Sequence, residues 1–346
     1  MEALYWLIAF LIFSLLIFVH ELGHYLTARL FHVKINEFSI GMGPKMLTYT
    51  SKKTGIKYSL GIFLIGGYVS MAGEDEESNE PDAISKKPAW QRFIVVSAGA
   101  VMNLILGVIL IFSMVLSMPV LTSNTVAAHY DSEKLPFSSA DYGLTAGDTI
   151  VAVNGTRVYI GYDMMYEISH DGIEECAITV LRDGKELTLT VCFPTYTDQG
   201  VLFAYPDFLP ATEAKTVGNV LKHTLCYSKT TAKLIWESLI DLIGGRYGME
   251  AVSGPIGAAG AISEAASTDL RQTLLLAAMI SINLGIFNLF PIPALDGGRL
   301  AFILFEMIFR RPVPQKYEGL VHFIGFVLLM GLMVLILFKD IVSLFS

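Results

Sequence analysis

Charged side chains are scarce in this sequence of 346 residues: Asp, Glu, Lys and Arg make up 16% of it, and 53% is hydrophobic. A soluble globular domain carries about 25% charged residues, so the composition argues against a wholly soluble protein. A basic excess is also missing, because 24 Lys and Arg stand against 32 Asp and Glu. The net charge of −8 gives no reason to expect nucleic acid as a partner.

Cysteine is equally rare. Only three are present, none in a CxxC pair, so an even disulfide framework and a cysteine-based metal site are excluded. Cys176 and Cys192 flank the hairpin "ITVLRDGKELTLTV". A three-residue loop would set them opposite one another, where a bridge could form, whereas a two-residue loop would set them on opposite faces. The sequence leaves this pair open.

Four long apolar runs account for the low content of charged residues. They cover residues 3–19, 93–118, 274–295 and 319–338, each near or above the roughly 18–20 residues that cross a bilayer core. The first has the length of a signal peptide but lacks a basic leader and a small-residue cleavage site. We therefore expect a multi-pass α-helical protein of the cell membrane with four transmembrane helices in contact with the lipid bilayer.

Loop charges predict the orientation of these helices. Residues 20–92 hold nine Lys and Arg, whereas residues 119–270 hold nine against nineteen Asp and Glu. Because basic loops stay in the cytoplasm, residues 20–92 are predicted to be cytoplasmic. The acidic segment and both termini are then extracytoplasmic.

The stretch after the first apolar run changes character. Alternating apolar and polar residues with Gly and Pro punctuation predict strands and turns in residues 33–92. Its phrase "GIFLIGGYV" is apolar enough to lie at membrane depth. Non-helical backbone is tolerated there only where protein covers it or where it lines a cavity. We expect a membrane-associated β-hairpin that forms one wall of a site.

The acidic segment contains a small α/β domain at residues 122–196. Its phrase "YGLTAGDTIVAVNGTRV" predicts a strand at residues 149–153 between two turns, and it is similar to the signature of PDZ domains. Such domains bind extended peptides at a sheet edge. Residues 211–270 follow as an interfacial helical region.

The strongest chemical motif is His20-Glu21-Leu22-Gly23-His24, an H-E-x-x-H pattern at the end of the first apolar run. Ionisable groups at this depth are costly and by default functional. On a helix, His20 and His24 share a face and can reach one ion, and Glu21 can approach its open coordination position. A catalytic zinc keeps three protein ligands and one open site. The alternative is a chance match at a helix end.

Asp296 in "NLFPIPALDGGRL" is the strongest candidate for a third ligand, because the predicted topology brings it to the depth of the histidines. The alternative is a helix N-cap. Glu306 is a weaker candidate, and His32 and His322 are expected to be interface or packing residues. Asn103 and Asn288, inside apolar helices, either satisfy buried backbone groups or hold substrate or an oxyanion.

Together these pieces resemble the bacterial site-2 proteases, zinc intramembrane metalloproteases, in their single-PDZ form. The resemblance rests on "HELGH", "FLIGGYVSMAGE", Gly99-x-x-x-Asn103, the PDZ phrase, "SGPIGAAG" and "NLFPIPALDGGR". Ala100 departs from it, since many members carry proline there, which leaves the role of Asn103 open. The resemblance implies that His20, His24 and Asp296 bind zinc and that Glu21 is the general base. It also implies that Asn288 handles substrate and that the hairpin around Gly66, Gly67 and Tyr68 lies beside the cleaved peptide.

The expected function is hydrolysis of peptide bonds within the transmembrane segments of single-span membrane proteins, with anti-sigma factors or remnant signal peptides as implied substrates. A non-enzymatic PDZ adaptor is the alternative, and a metal transporter is a weaker one. The predicted organisation is transmembrane helix 1 (1–32), hairpin and loop (33–92), helix 2 (93–118), PDZ domain (122–196), interfacial region (211–270), helix 3 (272–309) and helix 4 (317–340).

Overall fold

The computed structural model describes residues 2–74, 78–130, 138–198, 201–246 and 253–343. The chain divides into two compact units, the first formed by Met1–Leu110 with Ser253–Ser346 and the second by Ile111–Val252. In chain order the elements are α1 (Glu2–Leu30), β1 (Ile35–Thr50), β2 (Lys57–Met71), α2 (Ala89–Ser117), β3 (Leu121–His129), β4 (Thr149–Val153), β5 (Thr156–Arg157), α3 (Gly161–Asp171), β6 (Cys176–Arg182), β7 (Lys185–Val191), β8 (Thr195–Asp198), β9 (Val201–Ala204), β10 (Phe208–Glu213), α4 (Val217–Gly244), α5 (Pro255–Thr268), α6 (Leu270–Phe287), α7 (Asp296–Phe309) and α8 (Gln315–Ser343).

Four of these helices, α1, α2, α6 and α8, are long and apolar enough to cross a membrane, as the four apolar runs predict. The third run differs in detail. It does not form one helix over 272–309, because α6 ends at Phe287 and α7 begins at Asp296. Pro291 and Pro293 occupy the intervening segment, where their rings prevent a continuous helix.

The sheet of the first unit is a hairpin in which residues 37–40 of β1 pair with two different parts of β2. Glu37 is a register partner of both Ser70 and Lys57, and Ile40 is a partner of both Gly67 and Leu60. Residues 37–40 therefore lie between residues 57–60 and residues 67–70. Among the described residues, segment 67–71 is left at an edge of this sheet. Behind it, side chains from α1, β1, β2 and α2, among them Ala28, Phe38, Val69 and Val95, form a buried apolar cluster.

The second unit is built on a sheet of strand order β10-β3-β4-β6-β7, with β5 paired to β4. Its core includes Leu144, Ile150, Met164, Ile178 and Phe208. The strand β4 spans Thr149–Val153, as predicted. The sheet extends past residue 196, the predicted end of this domain, because β10 pairs antiparallel with β3.

The β6–β7 hairpin resolves the open cysteine question. Arg182 pairs with Lys185 across a two-residue loop, and Cys176 pairs with Val191. Cys192, one position further, then falls on the opposite face of the sheet. Accordingly Cys176, Cys192 and Cys226 are all free.

Helices α3 and α4 pack against each other in the second unit. The rings of Tyr162 and Tyr227 stack with centroids 4.0 Å apart. Lys233 donates to both carboxylate oxygens of Glu167 at 2.6 Å. Helix α4 is therefore held to this unit by both apolar and ionic contacts.

Candidate metal centre

Helix α1 contributes three residues to the candidate centre: His20, Glu21 and His24. Four residues bring two side chains to one face of a helix. The Nε2 atoms of His20 and His24 accordingly lie 3.3 Å apart. Both imidazoles present the same nitrogen to one point.

The carboxylate of Asp296 reaches the same point from the start of α7. Its Oδ2 atom lies 3.1 Å from His20 Nε2 and 3.3 Å from His24 Nε2. The N-cap residue of α7 is Leu295, whose side chain forms no capping hydrogen bond, and Asp296 is the first residue of the helix. The capping role considered for Asp296 is therefore not the one it has.

The loop before α7 is bent to deliver this carboxylate. Ala294 has a positive φ of 74°, which is uncommon for a residue with a side chain. Its backbone N–H donates to Nδ1 of His322 at 3.1 Å. At Gly297 a Cβ would lie 2.5 Å from the carbonyl carbon of Phe290, so only glycine permits this close turn.

The three donor atoms fit a zinc ion. Bonds of 2.0–2.1 Å at tetrahedral angles separate neighbouring ligand atoms by about 3.3 Å. The observed separations are 3.1, 3.3 and 3.3 Å. Asp296 Oδ2 is also buried and makes no hydrogen bond of good geometry to any described residue. Two imidazoles and a carboxylate around one point match the ligand types that zinc prefers.

Helix α2 supplies the outer partners of the two imidazoles. Nδ1 of His24 lies 2.9 Å from the carbonyl oxygen of Val95, and Nδ1 of His20 lies 3.4 Å from the Asn103 amide. At Gly99 a Cβ would lie 2.8 Å from His20 Cε1 and 2.9 Å from His20 Nε2. The missing side chain lets α2 approach both rings.

Glu21 and the three donors line one open cavity of about 680 Å³. The Glu21 carboxylate accepts a hydrogen bond from the backbone of Val69 on the edge segment 67–71. The other walls come from Tyr68, Ser70, Met71, Glu74, Val96, Ala294, Leu295, Arg299, His322, Phe323 and Phe326. A carboxylate, three donors that could hold a metal ion and a strand edge therefore face a common space.

The predicted substrate residues fall into two groups. Tyr68 lines the cavity, Gly67 lies against Glu21, and Gly66 has a φ of +90° that a side chain rarely adopts. Asn103 is 0% exposed, and the Asn288 amide donates to the carbonyl of Leu284 at 3.0 Å. Neither asparagine is among the residues that line the cavity, so both face protein groups.

A charged network fixes the cavity wall at Tyr68. Lys45 donates to the Tyr68 hydroxyl at 3.0 Å and lies 3.4 Å from Glu37. Burial by itself would raise the pKa of Glu37, but hydrogen bonds, including one from Tyr68, and the charges of Lys45 and Lys57 outweigh it and lower that pKa. Glu37 therefore stays ionised and keeps Lys45 over the tyrosine.

The competing candidates lie elsewhere. Glu306 pairs with Arg92, and His32 is an exposed residue just after α1. Sequence reasoning missed the ion pair of 2.7 Å between Arg299 and Glu74 at the cavity wall. Its signal was the arginine three residues after Asp296, one helical turn away.

Comparison with known proteins identifies the family of this chain. The profile of "Peptidase family M50" matches residues 8–332. The chain is 30% identical to "Zinc metalloprotease RasP" of Shouchella clausii, over 98% of this chain and 99% of the relative. It is 28% identical to "Regulator of sigma-W protease RasP" of Bacillus subtilis over 98% of each protein. It is also 34% identical to a Clostridium acetobutylicum protein named as a candidate zinc metalloprotease, over 97% of this chain and 96% of the relative.

Proposed function

Because this chain belongs to peptidase family M50, we propose that it hydrolyses peptide bonds within the transmembrane segments of other membrane proteins. It is itself a membrane protein and a zinc metalloprotease, by its four apolar helices and its relatives. The observation that carries the proposal is the convergence of His20, His24 and Asp296 beside Glu21. Both histidines and Glu21 lie in the C-terminal half of a helix that is apolar enough to span a bilayer.

His20, His24 and Asp296 would hold the zinc ion through Nε2, Nε2 and Oδ2. When bound, zinc supplies a Lewis acid that polarises the scissile carbonyl and makes water more acidic. Glu21 is the general base: its carboxylate takes a proton from the attacking water and passes it to the leaving amide nitrogen. The Glu21 side chain lies beside the edge segment 67–71, in the wall of the cavity that the three donors also line.

The strand edge at residues 67–71 is the proposed substrate platform. A helical substrate must unwind before its amide can be attacked, and the bilayer offers no partners for the freed backbone groups. Pairing with an edge strand satisfies them. At Gly66 and Gly67 a Cβ would meet Met42, Ser39 and Glu21, so these glycines allow the close packing that places the strand edge beside Glu21, and Tyr68 contacts the bound chain. Since Asn103 and Asn288 are engaged with protein groups, we assign substrate contact to the strand edge first.

The second unit is the proposed selectivity domain. Its predicted PDZ signature and the acidic balance of residues 119–270 support an extracytoplasmic PDZ domain, with both termini on the same side. Such a domain would favour substrates whose outer part has already been trimmed. One relative is named a regulator of sigma-W protease, which supports single-span anti-sigma factors as substrates. Remnant signal peptides have the same chemistry.

The decisive experiment is Glu21→Gln in the full chain, which keeps the shape of the side chain and removes the base. Turnover of a single-span membrane substrate should fall by about 10²–10⁴-fold, while zinc content stays at the wild-type level and uncleaved substrate co-purifies. Glu264→Gln, an exposed change on α5, is the matched control and should cleave normally. Wild-type cleavage by Glu21→Gln would favour the alternative of a non-enzymatic PDZ adaptor. Loss of zinc would make Glu21 a ligand.

Orientation is tested by labelling with a membrane-impermeant thiol reagent. In a variant without the three native cysteines, Lys185→Cys on the β6–β7 hairpin should react from outside intact cells. Ser78→Cys, before α2, should react only after the membrane is opened, because the loop charges place it in the cytoplasm. The reverse pattern would put the second unit in the cytoplasm and end its proposed role in substrate selection.

A further inference from the structure

The outer nitrogen of His20 is the one part of the candidate centre whose partner does not match its chemistry. Nε2 of His20 faces Asp296 and His24, so a metal there needs the Nε2 lone pair. A neutral imidazole with its lone pair on Nε2 carries its proton on Nδ1. In a buried position that Nδ1–H requires an acceptor.

His24 meets this requirement and shows what is needed. Its Nδ1 lies 2.9 Å from the carbonyl oxygen of Val95, so the ring donates outward and leaves Nε2 free for a metal. Such outer partners fix the tautomer and the ring orientation of metal-binding histidines. The same requirement applies to His20.

The group next to His20 Nδ1 is the amide of Asn103, whose Nδ2 lies 3.4 Å away. Two N–H donors facing each other form no hydrogen bond. Meanwhile Oδ1 of the same amide is buried without a hydrogen-bond partner among the described residues. A half-turn of the amide exchanges its oxygen and nitrogen, which brings the unpaired acceptor to the unpaired donor.

We propose that Asn103 is a positioning residue: its amide oxygen accepts the Nδ1–H of His20 and holds Nε2 of that ring toward the metal. This inference rests on the proposed function, because it takes His20 as a ligand. It assigns Asn103 to the metal centre and not to the substrate. The side chain is 0% exposed, so a bound peptide does not reach it.

Close packing of α2 against α6 holds Asn103 at this distance. Ser281 donates through Oγ to the backbone carbonyl of Asn103 at 2.8 Å. At Gly285, one turn further along α6, a Cβ would lie 2.8 Å from the Leu104 side chain. Gly99, one turn before Asn103, leaves room for the imidazoles. The Gly99-x-x-x-Asn103 motif thus combines space for the rings with an acceptor for one of them.

The test compares two variants of nearly equal size in the full-length protein in detergent. Asn103→Leu removes both polar atoms, whereas Asn103→Asp keeps the acceptor and removes the donor. Zinc affinity, measured by competition with a chelator, should fall by about 10–100-fold in Asn103→Leu and stay near wild type in Asn103→Asp. Equal weakening in both variants, or no weakening in Asn103→Leu, would overturn the proposal.

Ser281→Ala is the matched control, because it removes the contact to the Asn103 backbone and leaves the amide beside His20. Its zinc affinity should remain near wild type. The thermal midpoint of the zinc-free protein is measured for every variant. If zinc loss in Asn103→Leu is matched by a comparable loss of zinc-free stability, Asn103 acts through packing and the proposal fails.

His20→Ala separates this proposal from the one on which it rests. If His20→Ala releases zinc but Asn103→Leu keeps it, only the positioning role is wrong. If His20→Ala binds zinc as tightly as the wild type, His20 is not a ligand and both proposals fail.

Discussion

A cluster of histidine and carboxylate side chains in the first unit and one in the second unit differ in how their charges are neutralised. In the second unit, His170 places Nδ1 2.7 Å from Asp171 and Nε2 3.1 Å from Asp241. Arg246 adds a cation 3.3 Å from the Asp241 carboxylate. Nη1 of Arg246 also lies 3.0 Å from Nε2 of His170, so a cation of the chain itself balances the carboxylates of this cluster.

The candidate metal centre has the same residue types without such a cation. His20, His24 and Asp296 direct three atoms with lone pairs at one point, and Asp296 forms no pair with a Lys or Arg of the described segments. Converging acceptors without a cation are costly unless an ion is bound. A histidine–carboxylate cluster therefore indicates a metal site when its lone pairs converge without a cation, and an ordinary ion-pair network when an arginine or lysine balances its carboxylates.

The largest expected effect contrasts one aspartate from each cluster. Asp296→Ala removes a proposed ligand and should reduce zinc affinity by at least about 10-fold and up to about 100-fold. Asp241→Ala removes an ion-pair partner in the second unit and should leave zinc affinity unchanged. Chelator competition on the two purified variants measures both. Full zinc occupancy in Asp296→Ala would refute the assignment and make Glu306 the next candidate for the third ligand.

Local periodicity explains what the sequence could predict about the centre. The spacing of His20 and His24 is a property of one helix turn, and the depth of Asp296 followed from the loop charges. The outer partners were not predictable in the same way. Val95 contributes a backbone carbonyl, which no residue type signals, and Asn103 lies 83 positions from His20. Such contacts depend on how α1 and α2 pack.

For the fold too, the features that depend on residues close in sequence were predictable and those that depend on distant residues were not. The family resemblance, drawn from motifs in chain order, agrees with a profile match over residues 8–332. The four apolar helices and the strand β4 follow from hydropathy and turn residues close in sequence. The sheet of the second unit includes β10, which lies beyond residue 196 and pairs with β3 some 80 residues before it. A pairing across that distance has no local signature.

A second contrast concerns the stability that the ion pair between Lys233 and Glu167 gives to the second unit. Lys233→Met leaves Glu167, which is 3% exposed, without its cation and should destabilise the second unit by about 3 kcal/mol, since an uncompensated buried charge is costly. Lys233→Met with Glu167→Gln should recover much of that loss. Denaturant unfolding followed by the fluorescence of Trp236 on α4 measures both variants. Equal loss in the single and double variants would mean that packing, and not charge, is removed.

The smallest expected effect is a pH dependence that the second unit owes to Asp148. This carboxylate is 1% exposed and accepts from Arg182 through both oxygens at 2.6 Å and from the Thr145 backbone at 2.8 Å. Burial alone would raise the pKa of Asp148, but these bonds outweigh it and lower that pKa. Because the folded pKa lies below the unfolded value near 3.9, the stabilisation is fully present above about pH 4 and is lost as the pH falls through the folded pKa.

Asp148→Asn should cost on the order of 1 kcal/mol at neutral pH and flatten the decline of stability in acid. The same unfolding measurement from pH 7 to pH 3 checks this, with Asp198→Asn, exposed at the end of β8, as the control. An acid decline that is as steep in Asp148→Asn as in the wild type would assign the pH dependence to another carboxylate.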